Sequence, residues 1–204
     1  DSMWGGQATI YFDPRDHLRW FATLSRGYKA GGFNLGEAGQ VQADFQPESL
    51  VGLDVGMKGQ WLEGRLYADV TAFYMKRTDV QILIGRQLDP VGDPSSYLFF
   101  TDNASGGRNM GIESSVRWRA TEQFEIGGAL GLIRTRYSGF RPDGINDASD
   151  RDQAYAPEYQ ASLNATWRHP VAWMARLDVT ASDDFYFDVP DNDNRSKAYS
   201  VTHL

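Results

Sequence analysis

The run Tyr159-Gln160-Ala161-Ser162-Leu163-Asn164-Ala165-Thr166-Trp167-Arg168, the break His169-Pro170-Val171-Ala172 and the second run Trp173-Met174-Ala175-Arg176-Leu177-Asp178-Val179-Thr180-Ala181 decide the fold. Taken two residues at a time, Tyr159, Ala161, Leu163, Ala165 and Trp167 fall on one side, and Gln160, Ser162, Asn164, Thr166 and Arg168 on the other. After the break, Trp173, Ala175, Leu177, Val179 and Ala181 oppose Met174, Arg176, Asp178 and Thr180. A period of two is the mark of a strand, whose successive side chains point to opposite faces. Each arm has roughly ten residues, the length a tilted strand needs to cross a bilayer. Aromatic residues close the apolar rows, where rings favour the membrane–water boundary. The reading is a hairpin in a transmembrane β-barrel, apolar side to lipid and polar side to a wet lumen. A soluble sandwich or lipocalin-like barrel has the same alternation with its apolar face turned inward, so strand length and the sorting of the loops must decide.

The same pattern extends toward the N-terminus. Gly5 to Phe12 and His17 to Tyr28 read as strands joined by Asp13-Pro14-Arg15-Asp16, a turn composition. Residues 30 to 47 read as a long Gly-rich loop. Leu50 to Trp61 places Val51, Leu53, Val55 and Met57 on one face, and after Leu62-Glu63-Gly64 the next strand places Leu66, Ala68, Val70, Ala72 and Tyr74 there. The alternation allows this strand to continue through Val80, Ile82 and Ile84. A second long loop is expected over roughly 86 to 107, because Pro90 and Pro94 interrupt it. Asn109 to Arg119 and Phe124 to Tyr137 form another pair around Ala120-Thr121-Glu122-Gln123. Long loops then cover 138 to 156 and 183 to 196, and Lys197 to Leu204 begins a further strand.

Short and long connections therefore alternate. In an up-and-down meander this puts all short turns on one side and all long loops on the other, the asymmetry of outer-membrane barrels. Charged residues on the polar rows (Asp54, Lys58, Asp69, Glu113, Arg117, Arg176 and Asp178) suit a wet lumen, while the apolar rows are nearly free of charge. The expected class is all-β: an antiparallel up-and-down transmembrane β-barrel, incomplete, with about nine strands.

Composition agrees. Hydrophobic residues make up 41% of the 204 residues, so no apolar run is long enough for a membrane-spanning helix. A barrel wall survives that average, because only alternate residues need be apolar. The net charge of −7 argues against nucleic acid as a partner, since phosphate binding rests on Lys and Arg. The cysteine count of zero excludes disulfides and thiolate metal sites.

Enzyme chemistry finds little footing. His17, His169 and His203 are the only histidines, the first two beside short turns, and no Gly-x-Ser-x-Gly or His-Glu-x-x-His motif occurs. The expectation is no enzyme and no cofactor. Two acidic groups, Asp143, Asp147, Asp150 and Asp152, and Asp183, Asp184, Asp188, Asp191 and Asp193, have the oxygen-rich character of Ca²⁺ loops without the EF-hand spacing. Solvated loop carboxylates are the preferred reading of both groups, so no metal site is expected.

Laid out in this way, Ser25-Arg26-Gly27-Tyr28-Lys29-Ala30-Gly31-Gly32-Phe33-Asn34 resembles a signature stretch of the barrels of TonB-dependent outer-membrane receptors. Phe45-Gln46-Pro47-Glu48-Ser49-Leu50 follows at the spacing of that family, and Gly56-Met57-Lys58, Trp61-Leu62-Glu63-Gly64-Arg65-Leu66, Phe73-Tyr74, Gly111-Ile112-Glu113, Ala156-Pro157-Glu158 and Asn194-Arg195-Ser196 continue it. The resemblance implies a barrel of about twenty-two strands, closed by an N-terminal plug, in the outer membrane of a Gram-negative bacterium. It implies uptake of a scarce ligand, typically a ferric siderophore, powered through the TonB complex. On this reading residues 1–204 are part of the barrel domain, without plug, TonB box, signal peptide or final strands. A passive porin-like channel and a soluble sugar-binding β domain remain as alternatives. Ligand contact is expected at the long-loop side and the upper lumen, from Tyr28, Lys29, Phe33, Asn34, Arg134, Arg136 and Tyr137, whose cationic and aromatic groups suit an anionic, planar iron chelate.

Overall fold

The computed structural model describes residues 3–35, 42–89, 91–141, 147, 149–187 and 194–204, with backbone alone at 94 and 95. Thirteen strands follow in chain order: β1 (Gly6–Arg15), β2 (Leu18–Lys29), β3 (Gly32–Phe33), β4 (Asp44–Phe45), β5 (Glu48–Trp61), β6 (Leu66–Asp89), β7 (Asp93–Arg119), β8 (Phe124–Ser138), β9 (Tyr159–Arg168), β10 (Met174–Ser182), β11 (Phe185–Tyr186), β12 (Arg195–Ser196) and β13 (Tyr199–His203). Nine form one sheet in the order β1-β2-β5-β6-β7-β8-β9-β10-β13. Every neighbouring pair is antiparallel, so the sheet is an uninterrupted meander. The remaining strands make two short ladders, β3 with β4 and β11 with β12, inside the loops.

Register shows why the alternation read from the sequence holds. Ala22 lies opposite Val55, Val55 opposite Ala72, Ala72 opposite Ile112, Ile112 opposite Leu132, and Leu132 opposite Tyr159. One apolar row thus crosses six strands without a polar interruption. A slip of one residue at any ladder would throw that strand's apolar set to the other face. These rows stay uncovered: Leu53 is 46% exposed, Ile112 45% and Leu163 53%. In a soluble sandwich the same side chains would meet each other in a dry interior; here they form the outside of a single-layer wall.

The opposite face is polar and lined with rings laid over glycines. Phe21 faces Gly56 and Phe73 faces Gly111 across their ladders. A Cβ on Gly56 or Gly111 would sit 2.6 Å or 2.7 Å from the Cζ of its opposing ring, so each ring occupies the space a side chain would take. Asp69 and Ser115, another pair on this face, share a short hydrogen bond. On the last strand the rows exchange character: Tyr199 lies on the inner face, beside Gln160, Ser162, Thr180 and Ser182.

The turns around 62–64, 120–123 and 169–172 fall where the sequence places them, whereas the first is shorter than expected: Asp13, Pro14 and Arg15 continue β1, with Arg15 opposite Leu18, and the chain turns at Asp16 and His17. Leu62, Glu63 and Gly64 all take left-handed backbone, with φ of 54°, 57° and 82°. The second long loop is a correction. Residues 93–107 are not irregular; they belong to β7, paired to β6 as far as Asp89 with Asp93. Strands of 24 and 27 residues therefore project well past their neighbours on the long-loop side.

Candidate ligand-binding vestibule

The projecting β6/β7 hairpin would leave both faces in water without further packing. Asp79 resolves this on one side. Its φ of 52° is left-handed, which asparagine and aspartate tolerate better than most residues. Below it the inner row of β6 runs through Phe73, Met75 and Arg77; above it Val80 has joined the same face. A Cβ on Gly107 would lie 3.2 Å from Cγ2 of Val80 and 3.0 Å from Nε2 of Gln153, and Gln153 also contacts inward Arg77 and Asn109. The flip turns Val80, Ile82 and Ile84 inward. With Phe100, Ala104, Tyr137 and Phe140 they form a buried apolar cluster at the loop end. Tyr137 and Phe140 meet at a centroid distance of 5.2 Å.

Beneath this seat lies a polar tie joining four strands and a loop. Nε of Arg77 donates to Oε1 of Glu48 at 2.6 Å, and the backbone N–H of Gln81 donates to Oε2 at 3.0 Å. Arg77 Nη1 donates to Oε1 of Gln153 at 3.0 Å, and Nε2 of Gln153 donates to Oδ1 of Asn109 at 3.0 Å. The Gln153 backbone N–H reaches Oγ1 of Thr135 at 2.9 Å. Glu48, Gln153 and Thr135 are buried, and each is satisfied, as buried polar groups must be. The segment after β8 is thereby bolted to β5, β6 and β7.

The 30–47 loop is held by two asparagines acting in opposite senses. Asn34 bonds the backbone of Thr101 on β7, and Asn103 on β7 bonds the backbone of Gln46, accepting from its N–H at 2.8 Å and donating to its C=O at 3.1 Å. Gln81 adds bonds to the carbonyls of Ala30 and Gln46 at 2.8 Å and 3.0 Å.

The residues expected at the site separate into three groups. Lys29 and Phe33 stand at the loop end, with Phe33 82% exposed. Asn34 and Tyr137 are built into the supports just described. Tyr28 and Arg134 lie in outward rows: Tyr28 follows Leu24 and Arg26 on β2, and Arg134 follows Leu132 on β8. Arg136 shares that outward row and forms an ion pair with Asp152. Of the acidic groups, Asp150 pairs with Arg108 at 3.3 Å and Asp184 with Arg195 at 2.9 Å. Two hydrogen bonds from Ser149, with the Arg141 guanidinium near, hold the Asp147 carboxyl below its ordinary range. Asp183 accepts from the Asp184 N–H. Asp143, Asp188, Asp191 and Asp193 lie outside the described residues. Among the described residues no three acidic or histidine side chains are grouped to hold a metal.

One feature of the loop end escaped the sequence reading. Arg151 and Arg195 both stack on the ring of Tyr186, at 4.2 Å and 4.5 Å from its centroid. Tyr155, whose N–H donates to the Tyr186 carbonyl at 2.8 Å, leans on Phe185 and Phe187 at 6.1 Å and 6.3 Å. The residues come from two loops and share no local motif. The only sequence signal is the aromatic run Phe185-Tyr186-Phe187 itself.

A single-layer antiparallel wall, greasy outside, polar inside and roofed on one side by bolted loops, defines a transmembrane β-barrel segment. The family model for the TonB dependent receptor-like β-barrel matches residues 1–204, and the chain belongs to that family. The family is made up of outer-membrane transport receptors, not enzymes. Among curated proteins the chain is similar to the metal-pseudopaline receptor CntO of Pseudomonas aeruginosa, 23% identical over 176 residues. That match covers 86% of this chain and 22% of the relative, so the chain spans about a fifth of the relative's length. Among solved structures it is similar to the ferric yersiniabactin uptake receptor FyuA from Yersinia pestis, with a TM-score of 0.73 and 21% identity, covering 97% of this chain and 28% of that one. The copper transporter OprC has a TM-score of 0.74 and 17% identity, covering 97% and 30%. At these identities the structures speak for the fold alone.

Proposed function

We propose that this chain is one sector of the barrel domain of an outer-membrane receptor that takes up a scarce metal chelate, a ferric siderophore or a similar complex, energised through the TonB complex. The family and its metal-complex and siderophore receptors support the class. The observation that carries the ligand chemistry is the Arg151–Tyr186–Arg195 stack with Tyr155 and Phe187 exposed beside it. Cations over aromatic faces, held on an ordered base, suit a planar anionic chelate by charge and stacking. Lys29, at the end of β2, and Phe33, in the connection on to β5, offer a further cation and ring on the long-loop side. Of the other residues expected at the site, Asn34 and Tyr137 hold the loops in place, and Tyr28, Arg134 and Arg136 stand at the membrane rim.

The experiment is uptake of radiolabelled iron by a strain expressing the full-length receptor, supplied with candidate siderophores one at a time. R151A/R195A should weaken binding without lowering the amount of folded receptor at the surface. Removal of TonB function should abolish uptake while leaving binding intact. Uptake that persists without TonB would replace this reading with a passive channel.

A further inference from the structure

The outward face carries an unexpected set of charges. Lys76 on β6 lies directly opposite Arg108 on β7, and Arg108 directly opposite Arg136 on β8. Arg134, one outward position below Arg136, is opposite Met110. Like charges directly opposite on a ladder are destabilising, yet two such pairs are consecutive here. Asp150 answers Arg108 and Asp152 answers Arg136. Lys76 and Arg134 have no ion-pair partner among the described residues, and Arg134 shares a groove with one further carboxylate, Glu158. That groove is apolar and runs down the outer wall between Tyr74, Met110, Ile112 and Leu132. The cations thus sit where the lipid-facing rows end, directly above a channel for hydrocarbon.

We propose that Lys76, Arg108, Arg134 and Arg136 bind the phosphate of an outer-leaflet phosphorylated glycolipid, with one of its acyl chains in the groove below. Charge complementarity selects the headgroup, since basic residues at a membrane surface attract anionic lipid. The groove selects an amphiphile over a free anion. The dense cations also acquire a reason: the bound phosphate supplies the counter-charge that Lys76 and Arg134 lack. The inference rests on the membrane-wall reading, but not on the identity of the transported ligand.

The test uses the full-length receptor, extracted in detergent and shown to be folded by its heat-dependent shift on gels. Native mass spectrometry reads retention of added bisphosphorylated lipid A, with dephosphorylated lipid A as the comparator. Wild type should retain the phosphorylated lipid at least about tenfold better, and K76Q/R134Q should lose about tenfold. K76R/R134K should keep most of the retention. Equal retention of the two lipids, or undiminished retention by K76Q/R134Q, overturns the proposal. Displacement by millimolar inorganic phosphate also overturns it, by making the patch a free-anion site. If K76Q/R134Q does not fold, the comparison of the two lipids on wild type still decides. A receptor that stays monomeric without detergent would instead defeat the membrane reading itself.

Discussion

The side-chain amide of Asn34 and the backbone of Thr101 exchange two hydrogen bonds, Nδ2 to O at 2.8 Å and N to Oδ1 at 2.8 Å. The amide does for the 30–47 loop what a neighbouring strand would do, satisfying one donor and one acceptor on β7. N34A leaves both Thr101 groups without protein partners, a cost of about 1–3 kcal/mol if water does not replace them. The loss is local. Hydrogen exchange on the full-length receptor should show faster exchange at Thr101 and in the 42–47 segment, while β9 and β10 are unchanged.

The pair Glu48–Arg77 is the second fastening. Their side chains are 9% and 22% exposed, so removing one partner strands a charge that is mostly out of water. Breaking a fully buried pair costs about 3–5 kcal/mol, and the partial exposure of Arg77 brings the expectation to about 2–3 kcal/mol. E48Q and R77M should each raise exchange at Gln81 and Gln153. The double variant should fall well short of the sum, because both changes remove one interaction.

Facing is tested by a pair of arginines. Leu163 is in the outward row and Asn164 in the inward one. L163R places a cation toward hydrocarbon, at about 2–4 kcal/mol near the bilayer midplane. It should sharply reduce the folded, heat-modifiable receptor in outer membranes, and L177R should do the same. N164R should assemble far better. Equal yields would mean the faces have been assigned to the wrong solvents.

Glycine under a ring is tested at Gly111. Its Cβ would fall onto the Leu132 carbonyl oxygen and 2.7 Å from Phe73 Cζ, whereas Gly27 has no atom within 4 Å of the same position. Overpacking of this kind costs about 1–3 kcal/mol. G111A should lower the temperature at which the barrel loses its folded gel mobility, and G27A should leave it nearly unchanged.

Asp147 sets a pH dependence. Hydrogen bonds from Ser149 lower its pKa from the ordinary 3.8. The stability it lends its loop is therefore complete above that unfolded value and is lost as pH falls through the lower folded one. Protection of the Ser149 amide, which donates to Asp147 Oδ1 at 2.9 Å, should fade only in strong acid. D147N should remove the pH dependence.

The wall was legible in the sequence because its rule is local. Alternation in Tyr159–Ala181 survives inspection two residues at a time, and the ladder only lines up rows already present. The hairpin extension was hidden by Pro90 and Pro94, which read as loop punctuation. Gly107 is paired on both sides, opposite Arg77 and Tyr137, and Val80 and Gln153 crowd the place a side chain would take there, a crowding that is tertiary. Asn34 read as a ligand contact because an amide that binds a backbone 67 residues away leaves no mark in its own neighbourhood. Arg134 and Arg136 lie in the same outward row as Leu132, which their own spacing of two already implied.

Asp79 has a consequence for how this region can vary. A single left-handed residue converts a stretch that would have displayed valine and isoleucine to water into a foundation for its neighbours. Whatever the tips of the surrounding segments become, the apolar part of their anchorage rests on that backbone inversion, beside the polar tie through Glu48, Arg77 and Gln153. The promontory can therefore diversify at its margins while its footing stays the same.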